Sequence, residues 1–166
     1  MSDHSEDAFS TTRQLVSDWL LADGWTLSEA PSAVPESAWL VQAVDPSGRT
    51  VILGQRTQRP DLIVLQGRVS LDERHAKKLE AMDSREQEDL CWDLRLRLLE
   101  MVDFNGVSTP LRRVNLMTRV FTEDLRRHEL FQILGQLQRA ILVVVWTVRR
   151  ALDQPAPDDI VVGQVN

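Results

Sequence analysis

Tyrosine is absent from this 166-residue chain, and cysteine occurs once, at Cys91. A lone cysteine excludes an intramolecular disulfide and fits a reducing compartment. The three histidines, His4, His75 and His128, are scattered, whereas a zinc site wants ligands clustered at helical or turn spacing. His75 and His128 sit amid Arg, Lys and Glu, which reads as solvated helix surface. Cys91 has Asp89, Trp92 and Asp93 beside it, acids that would raise a thiol pKa, so it reads as a buried structural cysteine. Gly-rich phosphate loops, GxSxG and HExxH are all missing. The expectation is therefore no catalytic residue, no metal and no cofactor.

Long apolar runs are missing too. The longest, Ala140 to Trp146, is seven residues, against roughly 20 for a bilayer span. The opening MSDHSEDAF is acidic and polar where a signal peptide would be basic and then apolar. Both absences point to a cytoplasmic protein without a membrane partner. The net charge of −6 is concentrated in residues 1–36, which hold seven acids and one Arg13, so that the remaining 18 acids and 18 bases balance. A chain without a basic surface lacks most of what drives nucleic-acid affinity, so no nucleic-acid partner is expected.

What is present reads as one α+β domain. Residues 1–8 are expected to be disordered, 9–152 to form a single domain, and 153–166 to be a flexible tail. Ser10 or Thr11 offers an N-cap for a first helix, closed by Asp23-Gly24. Three strand-like runs follow, Trp39 to Val44, Thr50 to Gln55 and Leu62 to Arg68. Asp45-Pro46-Ser47-Gly48 supplies a tight turn between the first two. Two capping boxes, Ser70 to Glu73 and Ser84 to Gln87, open a kinked or double helix carrying Leu90, Leu94, Leu98, Met101 and Val102 and ending at Phe104-Asn105-Gly106. Val107 to Val120 reads as two more strands, with Val114, Leu116, Thr118 and Val120 on one face. The last helix is expected from Thr122 to Leu152. Leu130, Leu134, Leu137, Ile141, Val144, Val148 and Ala151 repeat on it at alternating spacings of four and three, giving one continuous seam. The expected order is α-βββ-α-ββ-α: an antiparallel sheet of about five strands with helices packed on it and a long C-terminal helix.

Both faces of the meander are apolar. Trp39, Val41 and Ala43 face one way and Leu40 and Val44 the other. Val51 and Leu53 oppose Ile52, and Leu62 and Val64 oppose Ile63 and Leu65. A meander with one wet face alternates cleanly, so either helices cover both sides or one side awaits a partner. Docking is therefore assigned to Trp39, Val41, Val51, Leu53, Leu62 and Val64 on the sheet, and to Leu134, Ile141, Val145 and Trp146 on the last helix. Arg113 and Arg119, on a strand without acids, could meet an acidic partner. Trp19, Trp39, Trp92 and Trp146 lie on apolar stripes and read as core, any left exposed being an interface anchor.

As an order of elements over residues 9–152, the chain resembles the type III secretion chaperone-like fold, including the YbjN-like domains of cytosolic bacterial proteins. The phrases that carry the resemblance are Asp23-Gly24-Trp25, Pro60-Asp61-Leu62-Ile63-Val64-Leu65 and Trp92-Asp93-Leu94-Arg95-Leu96. It implies an α+β dimer or partner-binding module without enzymatic activity. The function expected is protein binding, chaperone-like or adaptor, by a homodimer whose protein partner is unknown. One alternative is a small-ligand sensor or enzyme with a pocket between sheet and last helix, where His128 or Cys91 would meet a carboxylate. The other is a structural subunit of a larger assembly, ordered by the tail.

Overall fold

The computed structural model describes residues 3–30 and 36–152, with side chains from Asp7 onward. In chain order the elements are α1 (Asp3–Ala22), β1 (Thr26–Glu29), β2 (Ser37–Val44), β3 (Thr50–Arg56), β4 (Arg59–Ser70), α2 (Glu73–Glu80), α3 (Ser84–Leu99), β5 (Asp103–Asn105), β6 (Arg113–Phe121), a 3₁₀ turn (Thr122–Asp124) and α4 (Arg127–Ala151). The strands form one antiparallel sheet of six in the order β1-β2-β3-β4-β6-β5. The expected α+β class, meander and long C-terminal helix are all present, and β1 adds a short strand ahead of the meander. Among the described residues the chain falls into two compact units. One comprises the chain up to Gln66 with Thr118–Gly135, the other Gly67–Met117 with the chain from Gln136.

In the first unit, α1 begins at Asp3, well before the caps expected at Ser10 and Thr11. Nothing in the sequence breaks a helix before Gly24. Thr11 and Thr12 behave as interior residues, their hydroxyls donating back to the carbonyls of Asp7 and Ala8. Gly24 takes φ +81°, and the amide of Trp25 then closes onto the carbonyl of Leu20 at 3.0 Å. The β2–β3 turn forms where expected. Asp45 accepts from the amides of Ser47 and Arg49 at 2.8 and 2.9 Å, and Gly48 supplies the positive φ. Register places Trp39, Val41 and Ala43 opposite Gln55, Leu53 and Val51, and all six are buried. The indole of Trp39 donates to Gln55 Oε1 at 2.8 Å, and the Gln55 amide donates to the carbonyl of Pro60. Leu40, Val44, Ile52 and Val64, on the other face, are half-buried.

In the second unit, both helix starts differ by a residue or two from the expected boxes. Ser70 ends β4, so Asp72 caps α2 instead and accepts the amide of His75 at 2.7 Å. The second box runs from Asp83 to Glu86, because Asp83 can accept the amide of Arg85 while Glu86 accepts that of Asp83. The double helix is therefore two helices in series, α2 and α3. Residues 103–105, expected as the tail of that helix, form β5 and pair with Asn115 to Met117 of β6. Gly106 then turns the chain at φ +82°, where a Cβ would run into the carbonyl of Arg113.

Helix α4 has 25 residues, about 37 Å at 1.5 Å each. It starts later than expected because Thr122 opens the 3₁₀ turn, with its hydroxyl on the carbonyl of Pro60 at 3.5 Å. Six of its seven expected seam positions, Leu130 through Val148, are buried. At Gly67 the missing side chain lets Ile141 approach to 3.0 Å of where a Cβ would stand.

Candidate protein-binding surfaces

The residues assigned to docking from the sequence divide by burial. Trp39, Val41, Val51, Leu53 and Leu62 on the sheet are core side chains, as are Leu134, Ile141 and Val145 on α4. These eight are not available to a partner while the chain is folded. Period-two alternation separates two faces without saying which is inward: Trp39, Val41, Val51 and Leu53 lie on the inward face, Val64 on the outward one. Val64 is half-buried, whereas Arg113, Arg119 and Trp146 are exposed. In the first unit the outward face of the meander carries Leu40, Val44, Ile52 and Val64, with Gln42 among them.

The largest apolar exposure lies elsewhere, on α3. Trp92, Leu96 and Leu99 are 59%, 65% and 70% exposed. Their spacing of four and three puts them on one stripe, opposite the buried Leu90, Cys91, Leu94 and Leu98. LCWDLRLRLL is apolar on two opposite sides of a 3.6-residue repeat, so the local pattern alone does not rank the two sides. Trp92, expected in the core, lies on the outer of these sides. The Arg95 guanidinium stands 5.3 Å from the centroid of its ring, and Arg95 is itself fixed by two hydrogen bonds to the carbonyl of Val107, at 3.0 and 2.6 Å. The ring is held outward before any partner arrives, which lowers the ordering cost of binding.

Between α3 and α4 runs an open groove of about 420 Å³. Glu86, Asp89 and Asp93 line its α3 wall, and Trp146, Thr147 and Arg150 its α4 wall. Arg97 pairs with Asp93 at 2.9 Å, leaving the groove mixed in charge.

Neither residue proposed for chemistry lines this groove. Cys91 is buried, and burial pushes its thiol up despite the nearby Arg95. That suits a structural cysteine. His128 is exposed as expected, its ring 4.0 Å from Glu129. His75 is buried, contrary to expectation, because its Nδ1 lies 2.7 Å from the capping carboxylate of Asp72. The amide of His75 holds Asp72 below the usual carboxylate range. Burial pushes Asp45 up, but its hydrogen bonds from Ser47 and Arg49 outweigh this and hold it low. Among the described residues no His, Cys, Asp or Glu cluster has the makings of a metal site. The tail 153–166, on which the larger-assembly reading rests, lies outside the described residues.

A family model described as an uncharacterized conserved protein, DUF2299, matches residues 12–148. No curated protein matches the chain. Among solved structures, an uncharacterized protein from Methanothermobacter thermautotrophicus is similar with a TM-score of 0.78 at 19% identity, over 84% of this chain and 98% of that one. A chain of the ExsC–ExsE complex is similar with a TM-score of 0.51 at 14% identity, over 84% and 92%. At such identities these likenesses show the fold alone. The second supports the chaperone-like fold expected from the sequence and lends nothing to the YbjN-like part of that expectation.

Proposed function

For a chain that belongs to the DUF2299 family, we propose a non-enzymatic protein-binding domain, chaperone-like or adaptor, that works in the cytoplasm as a homodimer. The observation that carries this reading is the outward stripe of Trp92, Leu96 and Leu99. An isolated exposed leucine means little, but three large apolar side chains on one stripe present on the order of a few hundred Å², the size at which a patch marks an interaction site. Tryptophan at its head is the residue most enriched among binding hot spots. The ExsC–ExsE complex, a protein bound to a protein, supports the reading by likeness of fold. Kinship with YbjN-like domains belongs to the same proposal and rests on the order of elements.

The reading includes no membrane and no nucleic acid. By length and composition α4 could cross a bilayer. We take it as a core helix because Leu130, Leu134, Leu137, Ile141, Val144 and Val148 are buried against the rest of the chain. The near-balance of charge outside residues 1–36 argues against a nucleic-acid surface.

The test is light scattering on the purified chain at low micromolar concentration, beside the double variant Leu96→Gln/Leu99→Gln. The expected result is a dimer that becomes monomeric in the variant with its circular dichroism unchanged. A wild-type monomer refutes the homodimer, and a variant that stays dimeric refutes the stripe as its interface.

A further inference from the structure

On β6 of the second unit Val114 and Leu116 are buried, so Arg113, Asn115 and Met117 alternate onto the opposite face of the sheet. Asn115 is joined there to both neighbouring strands. Its side-chain carbonyl accepts from Arg68 Nε of β4 at 3.2 Å, and its amide donates to Asn105 Oδ1 of β5 at 2.7 Å. The row Arg68–Asn115–Asn105 therefore crosses three adjacent strands. Close by, the amide of Leu71 donates to the carbonyl of Arg112 at 2.9 Å and holds the end of β4 beside the start of β6. An arginine tied through Nε keeps its two terminal nitrogens as donors for something else.

What this row has left to offer is chiefly donors. Both asparagine carbonyls accept within it, which leaves the terminal nitrogens of Arg68 and the amide of Asn105. Arg113 adds a second, exposed guanidinium, two residues from Asn115 and so about 7 Å along the strand. Among the described residues neither Arg68 nor Arg113 has a carboxylate partner. Glu80 pairs with Arg112 instead, and Asp103, on the same alternation, stands opposite Met117, at the end away from Arg113. Two like charges on neighbouring strands repel one another. An anion that joins both relieves the repulsion and accepts what the row donates.

We propose that this face binds an extended acidic segment of a partner protein, with one carboxylate at Arg68 and one at Arg113. The match is geometric as well as electrostatic. In an extended chain, side chains two apart share a face and stand about 7 Å from each other, the same step that separates Asn115, where Arg68 is tied, from Arg113. Acids at alternate positions therefore reach both guanidiniums at once. Asn115 holds Arg68 and Asn105 holds Asn115, so Arg68 meets its carboxylate with less side-chain freedom still to lose. Met117, half-buried on the same alternation, gives the partner's aliphatic stems an apolar contact. The inference rests on the reading of the chain as a protein-binding domain and supplies the chemistry of a partner; it uses nothing of the α3 stripe.

The experiment titrates the full chain, labelled with nitrogen-15, with a short peptide of alternating glutamate and serine. The reporters are the side-chain amide signals of Asn115 and Asn105, assigned by Asn115→Leu and Asn105→Leu. The expected result is a saturable shift of both signals that weakens with added salt and is absent with a glutamine–serine peptide. Arg68→Gln and Arg113→Gln should each weaken binding roughly tenfold. Asn115→Leu, followed on Asn105, leaves both charges in place and should still weaken it severalfold, an effect that positive charge alone does not give. No saturable shift overturns the proposal, as do arginine variants that bind like the wild type. Full binding by Asn115→Leu reduces the face to a general basic patch and overturns it too. Inorganic phosphate that moves the same signals at the same concentration assigns the face to a free anion and overturns the protein segment. The Leu96→Gln/Leu99→Gln variant should bind the peptide unchanged. A monomeric chain that binds the peptide therefore loses the homodimer and keeps this face, whereas a dimer without the shifts loses this face alone.

Discussion

Two leucines two residues apart on α3 give the sharpest test of how that helix is placed. Leu98 is fully buried and Leu96 is 65% exposed. Leu98→Ala removes the transfer free energy of the lost carbons and leaves a cavity, costing about 2.7–5 kcal/mol. Leu96→Ala loses only the buried third of a side chain whose full burial contributes about 1.5–3 kcal/mol, hence less than about 1 kcal/mol. Alanine and leucine are near-equal helix formers, so propensity does not blur the comparison. In a chain of this size 1 kcal/mol moves the melting temperature by about 2–4 °C. Leu98→Ala should therefore lower it by roughly 5–20 °C, and Leu96→Ala by about 4 °C at most. Thermal melts followed by circular dichroism, at protein concentrations low enough to suppress self-association, read both values. Equal losses, or a loss above about 2 kcal/mol for Leu96→Ala, would refute the outward placement of the stripe and the binding surface built on it.

Gln55→Leu keeps much of the volume but strips the indole of Trp39 and the carbonyl of Pro60 of their partners. At about 1–3 kcal/mol for each group left unmet, urea titration should show a clear fall in midpoint with an unchanged slope. Asp45 has its pKa lowered in the folded chain, so its contribution is full above the unfolded carboxylate value near 3.9 and is lost as pH falls through the lower folded value. Asp45→Asn should accordingly cost stability at pH 7 and lose that deficit as pH falls through the lowered folded value, as read by urea midpoints across pH. Cys91, buried and raised in pKa, should react with a thiol reagent only as fast as the chain unfolds; rapid labelling in native buffer would contradict its placement.

The sequence carried the elements further than it carried their orientation. Strand positions, the Asp45 turn and the 4-3 seam of α4 were readable because each depends on short-range pattern: alternation, a proline–glycine turn, a heptad-like repeat. The caps slid by a residue or two because Ser70, Asp72, Asp83 and Ser84 are all competent caps, and strand pairing at Ser70 decided among them. β5 was missed because three residues at a helix end carry no period, and Gly106 closes either a helix or a turn. Burial of His75 was likewise unreadable, since its partner Asp72 looks in sequence like one more acid on a solvated face.

The sheet and α3 fail for one shared reason. Trp39-Leu40-Val41 and Leu94-Arg95-Leu96 present apolar groups on opposite sides, and a local pattern cannot rank two equally apolar sides. What ranks them is what packs there, a property of the fold rather than of the segment. In the meander the register puts Trp39, Val41 and Leu53 inside and leaves Leu40 and Ile52 half outside. On α3 the side with Leu94 and Leu98 is inside, so Trp92, Leu96 and Leu99 are left over. The most exposed apolar side chains therefore lie on α3 and not on the sheet. The surplus sits where the chain fixes it in place, with Trp92 braced by Arg95 and Arg95 tied to Val107. A surplus that were mere tolerance of exposed leucine would need no such bracing.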